Sequence, residues 1–272
     1  MTPLPLGSRL IAANNTSSVT RSSVNSHTRG GDWGWRRRIS RLIAARMNQS
    51  SIETDGQTPL EQVRARIANA TTLSGRKAED VTLIAISKTH PVEAILPLLE
   101  QGQRDFGENR VQEAEGKWPE LRVRCPDVRL HLVGQLQSNK AAEAVALFDV
   151  IHSLDRRSLV GALAKAMDVE GKRVPCFIQV NIGDEPQKGG CAIADLSDLL
   201  AEAYSAEIPV AGLMCVPPVE VEPAPYFALL AKMGRERGLT GLSMGMSGDY
   251  ETAIMLGATH VRVGSALFGA RG

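Results

Sequence analysis

From residue 81 onward the chain alternates short apolar runs with amphipathic stretches, and that alternation leaves few architectures open. The runs cover residues 81–87, 105–106, 128–134, 149–153, 174–181, 208–216, 241–244 and 259–263. Helical patterns lie between them at 92–101, 108–118, 138–147, 155–169, 194–206, 224–237 and 248–256. Gly102, Gly238 and Gly257 close three of these, since glycine takes the left-handed cap without steric cost, and Pro119 is expected to stop the one over 108–118. Runs such as Val174-Pro-Cys-Phe-Ile-Gln-Val lack polar alternation, the mark of strands buried on both faces of a parallel sheet. Eight strand–helix units in the 226 residues from Met47 predict an α/β fold, a single (β/α)8 TIM-type barrel. A doubly wound open sheet is the alternative. An opening helix is expected at Thr58-Pro59-Leu60-Glu61, which combines an N-cap, a proline in the first turn and a capping-box acid. Pro97 conflicts with the helix drawn over 92–101, because it removes a donor and crowds the preceding turn; a kink or a late start is expected there.

The composition, 43% hydrophobic and 22% charged, excludes disorder throughout and collagen. No run approaches the roughly 20 apolar residues of a membrane-spanning helix. Cys125, Cys176, Cys191 and Cys215 are 51, 15 and 24 positions apart; no CxxC pair offers zinc or dithiol chemistry, so reduced thiols in a cytoplasmic protein are expected. The net charge of +1 hides an asymmetry: residues 1–46 hold eight Arg, no Lys and only Asp32 as an acid, a charge of +7 against −6 for the rest. The mildly acidic body and 4% aromatics argue against a nucleic-acid surface. We therefore expect residues 1–56 to form a disordered basic leader, with Met47 as the true initiator in preference to a transit peptide or a basic arm. Residues 57–272 would form the barrel, as a monomer without membrane attachment.

In a parallel barrel, chemistry sits where strands end. Lys88 follows the first run, and desolvation in a barrel mouth would favour the neutral amine that a Schiff base needs; a solvated strand-end lysine is the plainer reading. The seventh run leads into Met244-Gly-Met-Ser247-Gly-Asp249 and the eighth into Arg262-Val-Gly264-Ser265. Such turns before helices offer N–H groups to an anion, after the two strands where barrels usually hold phosphate, although capping alone would explain Ser247. A phosphate site opposite a strand-end lysine suggests pyridoxal 5′-phosphate. Arg262 could then face the ring nitrogen and weaken the ring as an electron sink; an outward ion pair is the alternative. Asn109, in Gly107-Glu-Asn-Arg-Val-Gln-Glu113, belongs to a polar cluster that could contact a ligand, or that helix-dipole preference alone would produce. His131, His152 and His260 lie in strands and read as hydrogen-bonded core histidines, and no spacing suggests a metal site. Residues 183–190 read as a flexible loop over the mouth.

Together the segments IAISKTHP, DFGENRVQE, HLVGQLQSNK, HSLDR, QVNIGDEPQKGG, GLMCVPP, LSMGMSGDYETAI and HVRVGSALFG resemble the pyridoxal phosphate homeostasis protein family, single-domain relatives of the alanine racemase N-terminal barrel. The resemblance runs from about Thr58 to Gly269. It implies that Lys88 carries pyridoxal phosphate, that Ser247, Gly264 and Ser265 touch the phosphate, that Arg262 partners the pyridine nitrogen and that Asn109 lies beside the ring. It also implies a carrier and buffer of the cofactor with little or no turnover, whose partners are pyridoxal phosphate, apo enzymes that use it, and free amino acids. A racemase-like enzyme is the alternative; it needs a second base, supplied in the racemases by a tyrosine of a further domain that is expected to be absent here. Tyr204, Tyr226 and Tyr250 all fall in predicted outer helices. A Schiff-base aldolase is a third reading, disfavoured by Arg262.

Overall fold

A computed structural model describes residues 56–269. The expected basic leader, and Met47 as initiator, lie outside the described residues. The chain divides into two units, Met1–Arg41, which is also outside them, and Leu42–Gly272, which contains the fold.

Eight parallel strands close into a barrel in sequence order: β1 Thr82–Ile86, β2 Asp105–Glu108, β3 Arg129–Leu132, β4 Val150–Leu154, β5 Cys176–Gln179, β6 Val210–Met214, β7 Gly241–Met246 and β8 His260–Val263. Pairing of β1 with β8, Thr82 opposite His260 and Ala85 opposite Val263, makes the closure. It removes the two sheet edges that an open doubly wound sheet would keep. The helices are α1 Pro59–Leu73, α2 Val92–Glu100, α3 Val111–Glu115, α4 Trp118–Arg124, α5 Ala141–Leu147, α6 Arg157–Glu170, α7 Leu196–Ser205, α8 Ala224–Glu236, α9 Tyr250–Met255 and α10 Ser265–Phe268. The predicted barrel is therefore the observed one.

The helix α1 starts as its sequence dictates. Thr58 Oγ1 accepts from the Glu61 amide, and the Glu61 carboxylate accepts from the Thr58 amide at 2.8 Å. Leu60, Val63 and Ile67 then fall on one buried face, each contributing roughly 1.5–3 kcal/mol by leaving water. Pro97 neither delays nor ends α2, which runs from Val92 to Glu100 with Ile95, Leu98 and Leu99 buried; packing of that face outweighs the lost donor. The helix expected over 108–118 is the one misread. Glu108 extends β2, α3 covers only Val111–Glu115, and Pro119 occupies the first turn of α4 instead of stopping a helix, because a first-turn amide has no intrahelical partner to lose.

Outward strand residues such as Phe106, Leu130, Ile151 and Val261 meet the helices in a continuous apolar shell. Inside the barrel a small apolar cluster of Val150, Phe177 and Met214 lies beside buried polar side chains, His131, His152, Ser243 and Arg262 among them. Cys176, Cys191 and Cys215 are buried and none forms a disulfide; burial pushes each thiol up to about 12. No helix among the described residues is long and apolar enough to cross a membrane.

Candidate functional site

At the C-terminal ends of the strands lies a cavity of about 420 Å³, lined among others by Lys88, Asn109, Ser247, Arg262, Gly264 and Ser265. All six residues singled out from the sequence are thus brought to one place, by strands β1, β2, β7 and β8. Apolar walls come from Ile86, Val133, Val216 and Met246. The volume falls in the range usual for small-ligand pockets.

Lys88 leaves the end of β1, half-buried. The following residue, Thr89, has φ +65°, a left-handed conformation that is costly for a β-branched side chain. Three groups hold it there. The Thr89 amide donates to the Glu113 carboxylate, and its hydroxyl donates to the Lys88 carbonyl at 2.6 Å. The ammonium of Lys117 then contacts Glu113 at 2.9 Å, Glu108 at 2.8 Å, and the carbonyls of Ser87 and His90 on either side of the turn. Glu108 is fully buried and also accepts from Ser87 Oγ at 2.7 Å and Trp118 Nε1 at 3.1 Å. Desolvation would raise the Glu113 carboxyl, but the hydrogen bonds from Lys117 and Thr89 outweigh it and hold the group below its ordinary range. The lysine turn is therefore clamped from behind. Sequence reasoning saw Glu108 and Glu113 only as acids near a helix start and did not weigh Lys117.

Opposite, two loops form a cradle. Ser247 does not cap a helix: its hydroxyl accepts the Gly264 amide at 3.1 Å and so ties the β7 loop to the β8 loop. Asp249 Oδ1 accepts the Met246 amide at 2.6 Å and closes the turn; burial raises this carboxyl, opposed by that bond and by Arg262. Gly245, at φ +92°, lets β7 turn against the start of α9, where a Cβ would press on Ala253 and Tyr250. Because α9 has six residues and α10 four, the cradle offers amides and hydroxyls more than a long helix dipole. A Cβ at Gly264 would meet Ile86 at an ordinary 3.5 Å, so the backbone alone does not demand glycine there.

Arg262 is 5% exposed. Its Nη1 donates to Ser243 Oγ at 2.7 Å and its Nη2 to the Cys215 carbonyl at 2.8 Å, so it is not the outward ion pair that was the alternative. Burial lowers its pKa, and Cys215 and Asp249 oppose the shift. Asn109 is half-buried beside β3; a Cβ on Gly134 would overlap its carbonyl oxygen, which is what glycine avoids. His90, which sequence reasoning passed over, stacks on Phe268 at 4.5 Å and lines with Lys88 a smaller hollow of about 30 Å³. Tyr204, Tyr226 and Tyr250 lie on α7, α8 and α9, and none lines the cavity. No group of metal-ligating side chains exists among the described residues. The loop at 183–190 is tethered instead of loose: Asn181 Oδ1 accepts the Glu185 amide, and Lys188 Nζ donates to the Pro217 carbonyl. An amine, a buried guanidinium and a cradle of amides and hydroxyls suit a small anionic ligand bearing a carbonyl carbon.

Residues 60–272 match the family described as alanine racemase, N-terminal domain. The chain is 40% identical over 226 residues to the pyridoxal phosphate homeostasis protein of Escherichia coli K12, covering 78% of this chain and 95% of that one. It is similar to the structure of PipY from Synechococcus elongatus with PLP bound, at 38% identity and a TM-score of 0.66, covering 76% of this chain and all of the other. An alanine racemase of Clostridium difficile, 14% identical with a TM-score of 0.57 over 76% of this chain and 56% of its own, shares the fold alone.

Proposed function

Because the chain belongs to the alanine racemase N-terminal domain family and, within it, to the pyridoxal phosphate homeostasis proteins, we propose that it binds pyridoxal 5′-phosphate as a Schiff base on Lys88. In this reading it serves cytoplasmic homeostasis and carriage of the cofactor, with little or no turnover, as a monomer that exchanges it with apo enzymes and free amino acids. The observation that carries the proposal is the convergence of Lys88, Arg262 and the two tied loops on one cavity. Those residues fit the group: an amine for its aldehyde, amides and hydroxyls for its phosphate, a guanidinium for its ring nitrogen. When bound, the cofactor supplies an aldehyde carbon on which amines exchange and a ring that can withdraw electrons.

The chain's own groups limit the proton chemistry that can be done in the cavity. Arg262 has only donors, so it would hold the ring nitrogen as an acceptor, without the proton that a carboxylate partner would favour. Of the side chains lining this cavity, Lys88 and Arg262 are the ionisable ones, and a guanidinium does not give up its proton. A missing acid–base partner costs roughly 10²–10⁴-fold in rate. Loaded protein incubated with common amino acids in deuterated water should therefore change its absorption spectrum while exchanging negligible α-deuterium. Rapid exchange or inversion with any amino acid would establish the racemase-like alternative, for which His90, beside Lys88 in the smaller hollow, is the second base to substitute.

The cradle makes a separate expectation. Ser265→Ala should weaken cofactor retention by about 0.5–1.5 kcal/mol, and up to ~3 if its hydroxyl meets a charged oxygen. Ser247→Ala should cost more than Ser265→Ala, because it also releases the Gly264 amide. Equilibrium dialysis measures both. An unchanged double variant would place the phosphate elsewhere.

A further inference from the structure

Five side chains from five strands form an unbroken hydrogen-bonded line through the inside of the barrel. Arg262 Nη1 on β8 donates to Ser243 Oγ on β7 at 2.7 Å. Ser243 Oγ lies 2.9 Å from His152 Nδ1 on β4, His152 Nε2 lies 3.0 Å from His131 Nδ1 on β3, and His131 Nε2 lies 2.9 Å from Asp105 Oδ1 on β2. Ser243, His152 and His131 are fully buried. Asp105, the first residue of β2, stands at the opposite end of the barrel from the cavity, with its side chain 21% exposed and Arg129 3.7 Å away. Phe177 stacks on His152 at 4.5 Å and 12°, which holds the imidazole plane. His260 is held aside by Thr259 Oγ1 at 2.9 Å from its Nδ1.

The two ends dictate where the protons sit. A guanidinium only donates and a carboxylate only accepts. Asp105 therefore takes the N–H of His131 Nε2. A neutral His131 then accepts at Nδ1, so His152 carries its proton on Nε2, and His152 Nδ1 accepts the hydroxyl proton of Ser243. The Ser243 oxygen is left to accept from Arg262. Every bond points from Arg262 toward Asp105. Other orders either leave a buried polar atom unpaired or place an imidazolium in the interior. Burial holds His152 well below its usual 6.5, with the neighbouring His131, His260 and Arg262 adding to the effect.

We propose that this line is a positioning relay: His131, His152 and Ser243 lock Arg262 in one orientation at the foot of the cavity and link it to the Asp105 carboxylate at the far end of the barrel. The relay rests on the proposed pairing of Arg262 with the cofactor's ring nitrogen, and its purpose is to aim that donor. None of its three inner members lines the cavity; they act through Arg262.

Two measurements test it. In the cofactor-free protein labelled with ¹⁵N-histidine, long-range ¹H–¹⁵N correlation at pH 7 should show His131 and His152 neutral and protonated on Nε2. A doubly protonated His131, or an Nδ1 proton on either ring, overturns the proton order and with it the relay. The second compares the affinities of pyridoxal phosphate and its 1-deaza analogue, which has carbon in place of the ring nitrogen. The wild type should prefer the nitrogen-bearing probe by about tenfold or more, as expected for one hydrogen bond from a charged donor. Ser243→Ala should abolish most of that preference while leaving affinity for the analogue nearly unchanged. A merely structural Ser243 would weaken both probes alike, and that result, or an unaltered preference, overturns the relay. Equal affinity of the wild type for both probes would instead remove Arg262 from the ring nitrogen, and the relay's purpose would fall while its proton order still stood on the histidine spectra.

Discussion

Replacing Lys88 by alanine should leave a folded barrel that has lost all covalent hold on pyridoxal phosphate. Wild-type protein, loaded and reduced with borohydride, should carry a pyridoxyl group on the Lys88 peptide at near-stoichiometric yield; Lys88→Ala should carry none and remain colourless. The fold should survive because Lys88 is half-buried at the mouth and Lys117, which ties the turn, binds the carbonyls of Ser87 and His90 instead of the Lys88 side chain. Weak non-covalent binding should persist through Arg262 and the cradle around Ser247, Gly264 and Ser265, so removal by gel filtration separates the two modes. Reduction that labels another lysine in the wild type, for example Lys117 or Lys140, would sink the assignment.

Lys117→Met should be the most damaging substitution for stability. Lys117 is 11% exposed and Glu108 0%, and removing one partner of a buried ion pair leaves an uncompensated charge, at about 3–5 kcal/mol. In a domain of this size that corresponds to a fall in melting temperature of roughly 6–20 °C. The clamp would also open, since the same ammonium binds Glu113 and both ends of the Lys88 turn. The double variant Glu108→Gln/Lys117→Met removes both charges and should recover part of the loss. Thermal melts by circular dichroism decide the matter: a shift below about 1 kcal/mol for Lys117→Met would show that water or another cation already serves Glu108.

What was legible in the residues was what local chemistry dictates. The box of Thr58 and Glu61 forms because both partners lie within one turn. The strands were recognisable because each apolar run is bounded by turn residues, and eight of them in this length admit a closed barrel. The rule that strand ends carry chemistry then selected Lys88, Arg262 and the two serine-bearing turns without any knowledge of distance. Pro119 misled because a proline reads the same way whether it ends one helix or begins the next; the break after α3 decides which.

Local pattern was enough for the period of the strands, the closing helix caps and the strand-end residues Lys88, Ser247, Arg262, Gly264 and Ser265 of the cavity, because each follows from neighbours a few positions away. Which side chains meet inside the barrel depended on its closure. His131, His152 and His260 looked like three separate core histidines; closure brings β3, β4 and β8 into one interior, where their rings approach within 5.2–6.4 Å of one another. Likewise Lys117, 29 positions after Lys88, reaches the lysine turn only because β2, α3 and α4 fold back against β1. Contacts of that kind depend on which way each strand faces and on the register that closes the sheet, neither of which a linear pattern records.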